Sequence, residues 1–313
     1  MTRSSRRSWM TLAALAPAAC AFVAQRERGL ERKFARAGLD ARRYELGEAR
    51  VHAWCAAGGT PVLMLHGFGA SGIWQWHRQV PALVKSGYAP IVPDLLWFGG
   101  SEAPADQVTI PDQARAMAAL LDALEIEELH MIGISYGGMV AHELLSIWPG
   151  RVRSVTLVSS PGRAFLASDQ DELRAAYGVS SMSELLLPRT PDEVRRLFDL
   201  AYARPPRVPR FIRAQVLEHF YRAHREARER MLASIQGDID ELRAHEWVPR
   251  EPTQIIWGEH DEIFPLLSAN RLREELGALA QLVVIPDAGH APQLEQAKVF
   301  NAAWFERLAE VDA

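Results

Sequence analysis

The sequence predicts an α/β fold, namely a doubly wound, mostly parallel sheet that carries an all-helical insertion. Short apolar segments that fit buried strands alternate with segments of helical periodicity up to residue 160 and again from residue 251. Residues 161–250 between them contain one helical pattern after another and no convincing apolar strand. We therefore expect a core formed by residues 44–160 and 251–313, with residues 161–250 as a helical cap.

Composition restricts the classes of function. The 313 residues are 48% hydrophobic, which is enough for one large domain with an insertion. The formal net charge of -4, with both signs interspersed, lacks the basic stripe of a nucleic-acid-binding protein, so no nucleic-acid partner is expected. The two cysteines, Cys20 and Cys55, cannot form a disulfide framework or a zinc site.

The N-terminus resembles an export signal. Arg3, Arg6 and Arg7 precede an apolar, acid-free run that ends near residue 24, and the paired arginines resemble a twin-arginine signal. The run is short for a membrane span, which favours an export signal. The alternative is an uncleaved N-terminal anchor or a disordered leader. We expect residues 1–25 to be a signal or membrane anchor and the protein to be exported or membrane-associated (periplasm or cell envelope) rather than cytoplasmic. Residues 26–43, rich in Arg and Glu, are expected to form a linker or a surface helix near a membrane.

The elements of the core follow in order. Tyr44–Leu46 and Arg50–Cys55 flank Gly47 and predict an edge hairpin. Residues 62–65 are fully apolar, which is typical of a buried parallel strand. The same reasoning predicts further strands at 89–92, 129–134, 152–159, 253–257 and 281–285. Helical patterns between and after them occupy 76–86, 110–124, a stretch from Met139 to Trp148, 266–276 and 292–308. In the cap, helices are expected at 170–177, 181–187, 191–203, 208–235 and 238–245, separated in part by prolines.

Ser135 stands in a Gly-x-Ser-x-Gly turn between an apolar strand and a helix. Such a turn holds the serine in a strained conformation with its hydroxyl exposed above the sheet. Gly133 and Gly137 are required because a Cβ at either position would collide with a neighbouring strand or helix. A serine hydroxyl is a weak nucleophile at neutral pH, so it needs a general base and a third group that orients this base.

The order Ser, Asp, His along the chain indicates the partners of this serine. His290 follows a late strand and is the predicted base, with His260 as its competitor. Asp261 follows the strand at 253–257 and is the predicted acid, with Glu259 and Glu262 as alternatives.

Two further loops lie where ligands bind, beyond the carboxyl ends of the strands. The segment 66–69 (HGFG) can supply backbone N–H groups to an oxyanion, and His66 is expected to brace it. A phosphate-binding loop is disfavoured because the required lysine is absent and the glycine spacing differs. Asp94 is expected to pin its own loop by hydrogen bonds.

These motifs resemble those of the α/β-hydrolase fold superfamily over roughly residues 44–310. The matching segments are HGFG at 66–69, Asp94 with GGS at 99–101, GISYGG at 133–138, GEHD at 258–261 and GH at 289–290. The resemblance implies that Ser135 is the nucleophile, His290 the base and Asp261 its orienting group. It also implies an oxyanion hole made of the backbone N–H groups of Phe68 and Tyr136. Serine at position 135 argues against dehalogenase and epoxide hydrolase relatives, which need a carboxylate nucleophile.

The leading hypothesis is a serine hydrolase that cleaves carboxylic esters of apolar acyl groups through an acyl-enzyme, without a metal or an organic cofactor. Trp74, Trp97 and Phe98 are candidate walls of an apolar substrate pocket. With the N-terminal segment, the chain resembles monoacylglycerol lipase-like esterases. The alternatives are a C–C bond hydrolase of ring-cleavage products, an acyltransferase, and a non-catalytic ligand-binding receptor on the same fold.

Overall fold

The computed structural model describes residues 22–244 and 250–313, and its centre is one eight-stranded sheet. The strands are β1 (Leu39–Leu46), β2 (Ala49–Ala56), β3 (Thr60–Leu65), β4 (Tyr88–Pro93), β5 (Leu129–Ile134), β6 (Val152–Val158), β7 (Thr253–Gly258) and β8 (Ala280–Ile285). Their order across the sheet is β1-β2-β4-β3-β5-β6-β7-β8. Only the pairs that β2 forms with β1 and β4 are antiparallel, so the predicted mostly parallel sheet is confirmed.

Helices cover both faces of the sheet. They are α1 (Phe22–Arg36), α2 (Gly72–Trp76), α3 (Val80–Lys85), α4 (Ile110–Ala123), α5 (Tyr136–Ile147), α6 (Ala167–Tyr177), α7 (Met182–Leu186), α8 (Pro191–Ala201), α9 (Arg210–Tyr221), α10 (Arg225–Ala244), α11 (Leu266–Leu276), α12 (Pro292–Glu295) and α13 (Ala297–Asp312). Helices α4, α5 and α11 pack on one face, and α1, α2, α3 and α13 pack on the other. Strand β3 explains why both faces are apolar: Leu63 and Leu65 belong to the first core, while Val62 and Met64 belong to the second.

Residues 26–43, predicted to form a linker or a surface helix, contain most of helix α1 and the first part of strand β1. Helix α1 is part of the core rather than a solvated linker, because Leu30 and Phe34 are fully buried against the sheet. Strand β1 already begins at Leu39, and it pairs with β2 along its whole length. Its charged, mostly exposed residues are typical of an edge strand and hide the apolar alternation on which the prediction depended.

Most of the predicted signal or anchor segment, residues 1–25, lies outside the described residues, so the export hypothesis stays a prediction. Its last four residues form the first turn of α1. Within residues 22–244 and 250–313, no helix combines the length and the hydropathy needed to cross a membrane.

Helices α6 to α10 form the insertion between β6 and β7. The predicted helix over 208–235 is broken, since α9 ends at Tyr221 and His224 adopts a positive φ of 55°. Helix α10 then continues to Ala244 and includes the start of the predicted helix at 238–245, while residues 245–249 lie outside the described part. The predicted helices at 76–86 and 292–308 are likewise each interrupted once: α3 begins only at Val80, and α12 ends at Glu295.

Candidate active site

Ser135 lies at the sharp turn between β5 and α5. Its backbone has φ 53° and ψ -123°, a region that non-glycine residues rarely occupy. The Ser135 N–H donates to the carbonyl oxygen of Val158 on β6 at 2.9 Å, and this bond anchors the turn to the neighbouring strand. The side chain lines a large cavity above the sheet. The strained conformation therefore presents the hydroxyl to a space that a ligand can occupy.

The glycines of the turn have the predicted steric role. A Cβ on Gly133 would overlap the carbonyl of Gly137, at the start of α5. A Cβ on Gly137 would lie 2.6 Å from the carbonyl oxygen of Leu65 at the end of β3. Helix α5 can approach the sheet this closely only because both positions lack a side chain.

His290 and Asp261 form a buried pair beyond the ends of β7 and β8. His290 Nδ1 is 2.9 Å from Asp261 Oδ2 and 3.1 Å from Oδ1. The Asp261 side chain has no exposed area, and its Oδ1 also accepts the N–H groups of Ile263 at 2.9 Å and Phe264 at 3.0 Å. With Nδ1–H donating to the carboxylate, the other ring nitrogen of His290 is free to accept a proton. His290 lines the same cavity as Ser135.

Close backbone packing brings these two loops together. A Cβ on Gly258, the last residue of β7, would overlap the carbonyl of Gly289. The His290 N–H donates to the carbonyl oxygen of Ala201 in the cap at 3.0 Å, so the insertion also fixes the histidine. The arrangement can orient an imidazole, but it depends on contacts that are distant along the chain.

The three residues predicted as alternatives to this pair, His260, Glu259 and Glu262, make other contacts. The side chain of His260 is 55% exposed, with Nε2 3.7 Å from Glu259 Oε2. The Glu262 carboxylate accepts a hydrogen bond from the hydroxyl of Tyr177 on the cap. None of these three side chains contacts His290 within the described parts of the chain, so the structure does not support them as the base or its orienting acid.

The predicted oxyanion loop lies directly beside Ser135. An ideal Cβ on Gly67 would be 3.3 Å from the Cβ of Ser135, and the adjacent Phe68 lines the cavity. Tyr136 is the first residue of α5, so its N–H has no acceptor within the helix. Both backbone groups are thus placed near Ser135 by their neighbours in the chain.

His66 braces this loop from below, as predicted. Its Nε2 accepts the N–H of Leu95 at 2.9 Å, and its Nδ1 is 2.8 Å from the carbonyl oxygen of Gly67. Complete burial lowers the pKa of His66, although Asp94 and the Gly67 carbonyl act in the opposite direction. The imidazole is therefore neutral at pH 7, with Nδ1 as donor and Nε2 as acceptor.

Asp94 pins its loop, as predicted. Its carboxylate accepts the N–H groups of Gly72 at 2.9 Å and Gly100 at 3.0 Å, and it lies 2.9 Å from His52 Nδ1. Burial opposes ionisation, but the hydrogen bond and charge of His52, with help from His66 and Gly100, hold the Asp94 pKa below its ordinary value. Asp94 is thus ionised and has a structural role, since its carboxylate joins the backbone at Gly72 to the backbone at Gly100.

The cavity above Ser135 has a volume of about 730 Å³ and mostly apolar walls. Trp74 lines it, as predicted. Trp97 and Phe98 do not, which corrects the prediction for these two residues. The Trp97 indole turns away to donate to the carbonyl oxygen of Gln107 at 2.7 Å, and Phe98 is buried beneath Phe68 at a ring distance of 5.2 Å.

Two aromatic residues of the cap, Phe220 and Tyr221, also form part of the cavity wall. Phe220 contacts Trp74 with ring centroids 5.3 Å apart. The Tyr221 hydroxyl lies 2.9 Å from an ideal Cβ position on Gly69, directly over the predicted oxyanion loop. Both residues line the cavity, and Tyr221 also belongs to a small core within the cap. No sequence signal separates an aromatic residue of a pocket wall from one of a core.

Across the described ranges, no cluster of His, Cys, Asp and Glu side chains has the arrangement of a metal site.

The family model for the alpha/beta hydrolase fold matches residues 60–297. The 2-hydroxymuconate semialdehyde hydrolase of Pseudomonas sp. (strain CF600) is 34% identical over 82% of this chain and 89% of its own. Lipase 1 of Psychrobacter immobilis is 27% identical over 76% of this chain and 73% of its own.

Solved structures agree in fold. The meta-cleavage product hydrolase of Pseudomonas fluorescens IP01 superposes with a TM-score of 0.71 at 25% identity, covering 86% of this chain and 97% of its own. A lipase (lip1) of Acinetobacter baumannii AYE, described as putative, gives a TM-score of 0.71 at 24% identity, covering 91% and 96% of the two chains. With the family model matching most of its length, the chain belongs to the α/β-hydrolase fold family.

Proposed function

We propose that this hydrolase cleaves carboxylic esters of apolar acyl groups, with Ser135, His290 and Asp261 as its catalytic triad. The observation that carries the proposal is the shared cavity: Ser135 and His290 line one mostly apolar space of about 730 Å³. That volume lies in the usual range for small-molecule sites, and its walls suit an acyl chain.

The proposed reaction begins with attack of Ser135 Oγ on the ester carbonyl while His290 Nε2 takes the hydroxyl proton. The negative charge that develops on the carbonyl oxygen is stabilised by the N–H groups of Phe68 and Tyr136. As the tetrahedral intermediate collapses, the bond to the alcohol breaks and His290 protonates the leaving oxygen. Water, activated by His290, then attacks the acyl-enzyme and releases the acid and free Ser135.

Asp261 acts on this reaction through His290. Its carboxylate accepts a hydrogen bond from Nδ1–H, so the ring proton stays on Nδ1. Nε2, the nitrogen that faces the Ser135 hydroxyl in the proposed mechanism, is then unprotonated. The carboxylate also stabilises the imidazolium that forms when Ser135 is deprotonated. Hydrogen bonds from the backbone N–H groups of Ile263 and Phe264 hold the carboxylate in this orientation.

Hydrolysis of C–C bonds is the second candidate. The relative that is 34% identical to this chain is a 2-hydroxymuconate semialdehyde hydrolase. The same serine, base and oxyanion donors can serve such a reaction, so the triad does not separate the two candidates.

A substrate comparison tests both. We would measure turnover of p-nitrophenyl esters from acetate to palmitate and of a vinylogous diketo acid, with the native chain and Ser135→Ala. Faster turnover of the longer-chain esters, absent in Ser135→Ala, is the expected result. Turnover of the diketo acid alone would favour the second candidate, and an unchanged ester rate in Ser135→Ala would contradict the mechanism.

We further propose that residues 1–25 direct the protein to the cell envelope. The supporting observation is the arginine-then-apolar order of this segment. Cell fractionation of the full chain and of an Arg6→Lys/Arg7→Lys variant tests it, because a twin-arginine signal would lose function in the variant while an ordinary leader would not.

A further inference from the structure

A group of cationic side chains lines one part of the cavity and a hollow that adjoins it. Arg26 on α1 and Arg78, between α2 and α3, are exposed and line the cavity itself. Both also line an adjoining open hollow of about 390 Å³, together with Lys33 and Lys298. We call these four residues the basic cluster.

The basic cluster has no acidic partner in the part of the chain that the structure describes. Elsewhere on this surface arginines form ion pairs, for example Arg204, which also lines the cavity and lies 2.7 Å from Asp287. None of the four cluster residues lies within 4.0 Å of a carboxylate among the described residues. An uncompensated group of like charges raises the local concentration of anions.

The acidic residues nearest the cavity are engaged with other groups. Glu27 accepts the Trp74 indole N–H at 3.1 Å and lies 3.0 Å from His219. Asp169 pairs with Arg271 at 2.6 Å. Glu295 accepts the N–H of Gly289 at 2.7 Å. Burial raises the pKa of Glu295, and hydrogen bonds from backbone N–H groups, that of Gly289 first, offset this only in part. These three carboxylates are therefore bound to other groups and do not pair with the basic cluster.

The pKa values of two neighbouring groups are shifted in the direction that positive charge beside the cavity produces. The pKa of Lys33 is lowered by partial burial and by the charges of Arg26 and Arg78. Burial lowers the pKa of His77 to about 4, and the same arginines and Lys33 contribute. The Lys33 ammonium donates to the carbonyl oxygen of His77, a residue of the cavity wall, at 2.6 Å, which holds Lys33 beside the cavity.

We propose that the basic cluster binds an anionic group of the substrate. The preferred esters are then amphiphiles whose acyl chain enters the apolar cavity and whose alcohol carries a negatively charged headgroup, such as a phosphate. Arg26 and Arg78 determine this preference because they line both spaces. The inference rests on the proposed function for the chemistry at Ser135, but the binding of the anion does not depend on turnover.

The test compares two soluble esters that share one acyl chain, decanoylglycerol phosphate and decanoylglycerol, below their aggregation concentrations. The native protein should show a kcat/KM ratio that favours the phosphate roughly fivefold, as expected for two partly exposed charge contacts. This ratio should fall toward one in Arg26→Gln/Arg78→Gln. The matched control, Arg28→Gln/Arg32→Gln, also removes two positive charges, both from exposed residues of α1 outside the cavity, and should keep the ratio.

The salt dependence of the preference and the direct binding of an anionic ligand test the proposal further. About 0.5 M sodium chloride should reduce the preference, since exposed charges are screened. With Ser135→Ala, calorimetry should show tighter binding of decyl phosphate than of its neutral glycerol ether, so the inference can be judged even if no ester is hydrolysed. Equal kcat/KM values, or a preference unchanged in Arg26→Gln/Arg78→Gln, would overturn it. A preference seen only with anionic vesicles would also overturn it, because the cluster would then bind a membrane surface instead of the substrate.

Discussion

Replacement of Asp261 by asparagine tests how the buried carboxylate controls the ring of His290. Oδ1 accepts the N–H groups of Ile263 at 2.9 Å and Phe264 at 3.0 Å, while Oδ2 faces His290 Nδ1 at 2.9 Å. An asparagine keeps its oxygen on the two backbone donors and therefore turns its NH₂ group toward the histidine. Nδ1 must then accept, which moves the ring proton to Nε2. In that tautomer His290 cannot take the proton of Ser135.

The size of the effect follows from this tautomer change. We expect Asp261→Asn to lower kcat by about 10⁴-fold, which corresponds to about 5 kcal/mol in the activation barrier. The free energy of unfolding should fall by only about 1–3 kcal/mol, because the two backbone bonds are kept and one charge-assisted bond is weakened. Asp261→Ala should lose more stability, since it leaves the N–H groups of Ile263 and Phe264 buried without an acceptor.

Stopped-flow release of p-nitrophenol measures the acylation step, and urea unfolding followed by circular dichroism measures stability. The reasoning would be refuted if folded Asp261→Asn retained more than about a tenth of the native acylation rate. It would also be refuted if Asp261→Asn and Asp261→Ala had equal stability, because the asparagine would then not hold the two backbone donors.

The remaining predictions concern stability. Gly133→Ala should lower the free energy of unfolding by about 3 kcal/mol or prevent folding, because its Cβ overlaps the Gly137 carbonyl, whereas Gly237→Ala in open space on α10 should be neutral or stabilising by up to ~1 kcal/mol. Urea unfolding of both variants checks this, and equal destabilisation would contradict it. Burial lowers the pKa of His142 to about 3, with the charge of Arg163 adding to it, so the unfolded chain binds a proton that the folded chain excludes between pH 6.5 and 3. His142 should therefore make stability fall by about 2 kcal/mol from pH 7 to pH 5. His142→Gln should flatten this slope and His260→Gln, at an exposed site, should not.

The sheet could be predicted from the sequence because its strands are short, apolar and separated by helical patterns. Residues 62–65 show the signal clearly, since a strand buried on both faces needs apolar residues at every position. Residues 39–43 of β1 gave no such signal, because an edge strand can expose Asp40, Arg42 and Arg43. The break at His224 was also hidden, since it depends on how α9 and α10 pack in the cap.

The site was predictable where local backbone geometry determines it. Ser135 and its glycines are recognisable because steric requirements act within one turn. Which aromatic side chain faces the cavity is decided by contacts between distant segments. Trp74 faces it beside Phe220, while Trp97 is drawn away by the carbonyl of Gln107. The place of Arg26 on the cavity wall likewise depends on the packing of α1 against the core.

Mass spectrometry of the intact protein after reaction with a fluorophosphonate probe tests most directly whether His290 activates Ser135. The native chain should gain one adduct, while Ser135→Ala and folded His290→Ala should gain none over the same time. An adduct that persists in Ser135→Ala, or a folded native chain that gains none, would contradict the account.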